Sequence, residues 1–322
     1  MKLKVQPYSN SLFPAANCRT TGYHRIWIRD NVYTSLGLEI IDINAAIKTI
    51  HALLDILLKH EYKIDWMIKQ PHPKLRWRYI HPRYDEQGNE IWEEWGNKQN
   101  DAIGALLWRI GELNKKTNII RDENDKRIIQ KLVYYLEAIE FWHDKDNGMW
   151  EENEEIHASS VGACLAGLLS VQDIVQVPLR LIAHAEETLK QLLPRESKTK
   201  DVDLALLSLI YPYNIVTKEQ AGMIIRNIEN KLLRKRGVIR YLGDQYYYNG
   251  GEAEWTFGLP WLAICHKLLG NKEKHSFYLK KTKEALNDRG ELPELYFANS
   301  EKHNENIPLA WSMSLKLVAE SL

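Results

Sequence analysis

Residues 146–169 read DNGMWEENEEIHASSVGACLAGLL, an acidic loop that runs straight into a helix. Gly148 permits a tight turn and Trp150 adds a flat apolar wall. Glu151 and Glu152 follow, and Val161, Cys164, Leu165, Leu168 and Leu169 then recur at helical spacing. A carboxyl beside an indole loses hydration, which disfavours its charged form, so Glu151 is the expected proton donor of the chain. Glu154 and Glu155 read instead as charges that favour the positive N-terminal end of the coming helix.

Outward from this loop the alternation of helix and junction continues. Upstream, Ile103, Leu106, Leu107, Ile110 and Leu113 mark one helix, and Ile128, Leu132, Leu136 and Ile139 another. Earlier still, a helix opens at Arg29 and Asp30, and one from about residue 44 places Ile47, Ile50, Leu54, Leu57 and Leu58 on one face. Between them and residue 98 lies an excursion with Pro71, Pro73 and Pro82, an alternating LRWRYI segment and a DEQGN turn, which predicts a small β-hairpin, or two short strands, around residues 75–95.

Downstream, helices are predicted from Pro178, over about Asp203 to Ile210, and from Thr217, which forms a capping box with Gln220 and opens a helix ending near Arg236. A Tyr-rich loop over 238–251 precedes helices over about 252–269, kinked at Pro260, over 272–287, and from Pro308. About eleven helices with little strand signal predict an all-α toroid of antiparallel helix pairs. In such a ring the loops of one end converge. Arg29/Asp30, Trp95, Glu151, Arg240 and Glu294 each stand at an inter-helix junction, so they are expected to share one cavity.

Composition narrows the function classes. The 322 residues show no Pro/Gly/Ser-rich linker or composition break, and one domain spanning 1–322 is expected. With 44% hydrophobic and 27% charged residues the class is globular. Lys+Arg and Asp+Glu both total 43, so no net field would recruit nucleic acid or anionic lipid. Three widely spaced cysteines, Cys18, Cys164 and Cys265, argue against a disulfide framework and against zinc, and no metal or other cofactor is expected. The N-terminus lacks an apolar signal region, and no stretch has the length of a membrane span; a cytoplasmic protein with no membrane partner is the expectation. Against 5 Phe stand 11 Trp and 16 Tyr, side chains with an apolar face and a hydrogen-bonding edge, which is what a sugar requires.

Seven segments taken in order carry a family resemblance: WIRDNVYTSLGL, WGNKQNDAIGALL, GMWEENEEIHASSVG, LLPRESKTKDVDLALLSL, GVIRYLGDQYY with EAEW, LPELY, and IPLAWSMSL. Together they resemble glycoside hydrolase family 15, the glucoamylase family, and the related N-terminal domain of phosphorylase kinase α and β subunits. HASSVG, LLPRESKTKDVD and LPELY are closer to the kinase subunits, whereas Glu151-Glu152 after Trp150 is the hydrolase-like form. The resemblance implies an (α/α)6 barrel and inverting release of glucose from the non-reducing end of an α-glucan. It also implies that Glu151 is the general acid and Glu294 the general base that activates water. Arg29, Asp30, Glu152 and Arg240 would bind the hydroxyls of the terminal glucosyl unit, and Tyr23, Trp27, Trp95 and Trp311 would line the pocket.

An inverting pair of carboxyls leaves room for water at a separation of roughly 6.5–9.5 Å, which two loops distant in sequence can supply. Asn97 and the stretch Asn153 to His157 depart from the hydrolase pattern. Small soluble saccharides bearing α-linked glucose are the expected ligands, and the protein is expected to be a monomer or homodimer. The family barrel begins with a helix that would precede residue 1, so the ring is expected to lack one of twelve helices, with residues 1–20 or a second copy over the gap.

Simpler readings compete at several positions. Arg29 with Asp30 is also an ordinary ion pair at a helix start, Arg240 can serve the end of the preceding helix, and Trp311 can be core. Glu93 and Glu94 read as solvated despite the WEEW pattern. Two functions from different classes therefore stand: a glucoamylase-type hydrolase, and a catalytically silent glucan-binding regulatory protein.

Overall fold

Small and apolar helices alternate along the chain with amphipathic ones, and the structure sorts the two kinds into an inner and an outer ring. The computed structural model describes residues 3–93 and 95–322. Among them are α1 (Ile28–Ile41), α2 (Ile43–Lys59), α3 (Glu61–Lys69), α4 (Asn100–Asn114), α5 (Glu123–Ala138), α6 (Ala158–Ser170), α7 (Leu179–Leu192), α8 (Lys218–Lys231), α9 (Gly258–Leu268), α10 (Lys272–Glu284) and α11 (Ala310–Ser321). A short 3-10 helix spans Leu204–Leu209, and β1 (Ile26–Trp27), β2 (Arg83–Tyr84), β3 (Glu254–Trp255) and β4 (Leu295–Tyr296) form two antiparallel pairs.

The inner ring closes as α1, α4, α6, the 204–209 helix, α9 and α11, each packed on the next and α11 back on α1. These six are buried along most of their length. Helix α6, ASSVGACLAGLLS, contains no charged residue, as a helix enclosed on all sides requires. Against the ring stand α2 on α1, α5 on α4, α7 on α6, α8 on the 204–209 helix and α10 on α9. These carry single apolar stripes, such as Ala46, Ile50, Leu53, Leu54 and Leu57 of α2. The (α/α)6 expectation is met.

The N-terminal stretch packs without regular structure. Residues 3–16 bury Leu3, Val5, Leu12 and Phe13 and meet α1, where Phe13 N–H donates to Asn31 Oδ1 (2.8 Å). They are tied to α10's exit by Lys4 donating to the Arg289 carbonyl, to α2 by Thr49 donating to the Ser11 carbonyl (3.0 Å), and to α11 by Ala310 N–H donating to the Ala15 carbonyl (2.8 Å).

Inner-to-outer connections are short, whereas outer-to-inner ones are long and lie at the opposite end. The long ones, 60–99, 139–157, 193–203, 232–257 and 285–309, carry the residues of interest.

Several local expectations are corrected. The LRWRYI segment is no strand: Arg76–Arg78 form a 3-10 turn, and the strand of the excursion, Arg83–Tyr84, pairs with Ile26–Trp27. The DEQGN turn does close a minimal hairpin, with Tyr84 bridged to Glu90. Helix α3 lies where no helix was foreseen, its signal weakened because Tyr62 and Trp66 face outward while Ile64 and Met67 are buried. Pro260 does not kink a helix. Residues 254–255 are strand, α9 begins at Gly258, and Pro260 falls in its first turn, where a missing N–H costs no intrahelical bond. Helix α8 stops at Lys231 because residues 233–238 turn back, with Arg234 N–H donating to the Gly237 carbonyl.

Candidate active site

Each of the ten expected site residues lines one cavity of about 540 Å³, a size typical of small-ligand sites. Tyr23 and Trp27 reach it from the segment before α1, Arg29 and Asp30 from the first turn of α1, and Trp95 from the connection into α4. Glu151 and Glu152 come from the connection into α6, Arg240 from that into α9, Glu294 from that into α11, and Trp311 from α11 itself. Since α6 and α11 stand three places apart in a ring of six, the connections bearing Glu151 and Glu294 enter from opposite sides.

Glu151 accepts from Arg29 Nη2 at 3.0 Å and from the Trp95 indole N–H. The indole that meets its carboxyl is therefore Trp95. Trp150, the expected neighbour, donates Nε1–H to Asp203 Oδ1 at 2.8 Å and lies against Phe257. Arg29 is held in turn by Gln99 Oε1 (2.8 Å) and Asp101 Oδ2 (3.2 Å). The backbone of Glu151 has φ 64°, a left-handed conformation uncommon for a side-chain-bearing residue.

Glu294 sits in an unlike environment. It is fully buried and accepts from Tyr23 and Tyr246 at Oε1 and from Asn304 and Asn306 at Oε2, the last at 2.7 Å. Burial pushes its carboxyl above the usual range, opposed by the donors Tyr23, Asn306 and Asn304. Glu152 shows the opposite balance. Burial works to raise it, but Arg240, Lys200 and Tyr241 outweigh burial and hold it below its ordinary value, Arg240 Nη2 lying 2.7 Å from Oε1. Arg240 is gripped from behind by both oxygens of Asp244 (2.6 and 2.7 Å).

Asp30 is raised to about 7, first by burial and then by the charges of Glu151 and Glu294, against the pull of Arg29. The cavity is floored by aromatic rings, with Phe257 and Trp311 stacked at 4.8 Å and 4°. Among the described residues, the buried indole N–H groups of Trp255 and Trp311 have no hydrogen-bond partner there.

Other expectations fall away. Glu154 and Glu155 do not serve the start of α6. Glu154 pairs with Arg76 (2.7 Å), and Glu155 accepts from Ser197 and Thr199, each at 2.6 Å. Glu93 is half exposed but paired with Arg25 (2.7 Å) and Arg83 (3.3 Å), while Glu94 lies outside the described residues. Reading the sequence missed Tyr246, Trp255, Lys200, Asn304 and Asn306. Tyr246 and Trp255 lie in the Tyr-rich loop and EAEW, both visible as segments; the two asparagines carry no signal in the sequence.

A ring of six inner and several outer helices, with paired carboxylates where its long connections converge, defines a glycosidase-like all-α toroid. The chain belongs to glycosyl hydrolases family 15, whose family pattern matches residues 2–321. Among similar proteins are the probable phosphorylase b kinase regulatory subunit alpha of Caenorhabditis elegans and the skeletal muscle isoform of that subunit from Oryctolagus cuniculus. The first is 26% identical over 84% of this chain and 27% of its own length, and the second 25% over 87% and 28%. The chain thus spans little more than a quarter of these relatives.

Among solved structures, a glycosidase superposes with TM-score 0.84 at 20% identity, covering 97% of this chain and 91% of that one; a variant of it is in complex with glucose. A bacterial glucoamylase complexed with acarbose superposes with TM-score 0.71 at 13% identity, covering 97% and 52%. At these identities the likeness establishes the fold. Among the described residues no helix is long and apolar enough to cross a membrane.

Proposed function

We propose that this protein is an inverting, exo-acting α-glucoside hydrolase of the glucan 1,4-α-glucosidase type. It would release glucose from the non-reducing end of a small α-glucan or disaccharide, with Glu151 as general acid and Glu294 as general base. One observation carries the reading: two carboxyls from opposite sides of the ring reach one aromatic-floored cavity in contrasting environments. Glu151 lies beside the donors Arg29 and Trp95, and Glu294 in a buried cradle of hydroxyls and amides. A pair of carboxyls with divided roles is what glycoside hydrolysis with inversion needs. Arg29, Asp30, Glu152 and Arg240 would bind the terminal sugar's hydroxyls, with Tyr23, Trp27, Trp95 and Trp311 as walls.

The leaving group separates the two roles. Glu151 would protonate a departing sugar alkoxide, a service that fluoride scarcely requires, so Glu151→Gln should lower turnover of maltose-type substrates by about 10²–10⁴-fold and spare α-glucosyl fluoride. Glu294→Gln should depress both substrates, because water must be activated whatever leaves. Proton NMR in the first minutes should show β-glucose. Equal losses for Glu151→Gln on both substrates, or α-glucose first, would overturn the assignment.

A second reading is favoured by the relatives named regulatory subunits of phosphorylase b kinase: a silent, saccharide-binding regulator. Wild-type protein that binds maltotriose but turns over neither substrate would establish it.

A further inference from the structure

The loop bearing Glu151 is shaped from beneath. Asp146 and Glu155 exchange backbone hydrogen bonds of 2.9 and 3.0 Å, so residues 146–155 form a closed loop. Within it Glu151 keeps its left-handed backbone, a conformation that persists only where the surroundings hold it. The imidazole of His157 packs directly under the loop. It is 4% exposed, and a Cβ added at Gly148 would lie 2.8 Å from its Cδ2.

Nδ1 of His157 lies 3.4 Å from Glu196 Oε1, and Nε2 lies 3.4 Å from the Asn153 carbonyl oxygen. Both partners are acceptors, and only the imidazolium carries an N–H on each nitrogen. The charges facing the ring agree: burial opposes its protonation, but Glu196 and Asp146 outweigh burial and the opposing Lys200, and His157 is raised to about 9. Glu155 adds a further negative charge nearby.

Glu196 is itself anchored. It is 1% exposed and accepts from Ser159 N–H at 3.1 Å and Ser159 Oγ at 2.5 Å in the first turn of α6. The segment around it touches the same loop elsewhere. Ser197 and Thr199 donate to Glu155, Lys200 Nζ lies 3.1 Å from Glu152 Oε2, and Asp203 accepts from Trp150.

We propose that the His157–Glu196 ion pair is a positioning device: it holds the 146–155 loop from segment 195–203 and so aims Glu151 at the substrate. The structural half of this inference stands on geometry alone, and its kinetic half rests on Glu151 acting as the acid.

Hydrogen–deuterium exchange tests the structural half with or without turnover. Glu196→Gln should speed exchange in a peptide covering 146–155 by about tenfold or more relative to wild type, leaving peptides from α4 and α9 unchanged. In protection factors, which already allow for base-catalysed exchange, wild type should show the same local loss relative to α4 and α9 as pH rises through about 9, where His157 gives up its proton. Unchanged protection, or loss spread evenly over the helices, would overturn the proposal. Should Glu196→Gln fail to fold, the wild-type pH series decides alone.

If maltose-type substrates are hydrolysed, misplacing the acid by about 1 Å should cost Glu196→Gln about 10²-fold in kcat on them and clearly less on α-glucosyl fluoride, with KM raised for both because Glu152 is carried on the same loop. Equal loss on both substrates would refute the link to Glu151. A wild type that turns over neither substrate would sink the hydrolase reading and leave the exchange result to decide the clamp.

Discussion

Asp30 illustrates how a carboxyl is held in the candidate site at a cost to the fold. Its carboxyl is buried among Glu151, Glu294 and Arg29, and stands at about 7 in the folded chain against an ordinary 3.8. Between those values the folded state binds the extra proton, so Asp30's contribution to stability is fully present below about pH 4 and is lost as pH rises through about 7. Asp30→Asn should therefore stabilise the ligand-free protein at pH 8, with a gain that fades toward pH 4, while weakening saccharide affinity. Urea midpoints of the two proteins at both pH values check this, and a gain independent of pH would contradict it. At this scale the sequence was informative wherever a distinctive residue at a junction lines the cavity: Arg29, Asp30, Glu151, Arg240 and Glu294 were all visible. It was silent on Asn304 and Asn306, because an amide aimed at a carboxylate looks like any loop asparagine until the chain brings the two together.

Helices α4 and α6 pack more closely than their apolar patterns convey. A Cβ on Gly104 would fall 2.3 Å from the Ala163 carbonyl carbon, and one on Gly167 would fall 2.5 Å from the Gly104 carbonyl oxygen. The two backbones are in contact, and nothing but hydrogen fits between them. Since α6 is preceded directly by the Glu151 loop and α4 by Trp95, this close crossing also brings the two partners of the Trp95–Glu151 hydrogen bond within reach. Gly104→Ala should cost about 1–3 kcal/mol or more through overpacking, despite alanine's better helix propensity. A lower urea midpoint at unchanged m would show it; a stabilised variant would mean that the helices have room to separate. Periodicity reveals which face of a helix is apolar and says nothing of how close the neighbour comes. For the same reason the 3-10 turn at Arg76–Arg78 was mistaken for strand: alternation over a few residues does not distinguish a strand from a turn pinned by its surroundings.

Across the whole molecule, six inner helices close a ring, and the N-terminal stretch packs against α1, α2 and the start of α11. Leu3, Val5, Leu12 and Phe13 supply its apolar contacts, so deleting residues 1–15 should uncover the apolar surface beneath them. The expected result is a lower urea midpoint, or self-association measured by sedimentation; neither change would show that the stretch is dispensable.

The chain's own pattern determined most of the helices, the toroid and the convergence of the junctions, since apolar spacing and loop position are local properties of sequence. The tertiary structure decided which indole touches Glu151, how Glu294 is cradled, and which groups of segment 195–203 meet the Glu151 loop. Those contacts join residues as far apart as Tyr23 and Glu294, whose pairing depends on ring closure and on side-chain directions that no local pattern encodes.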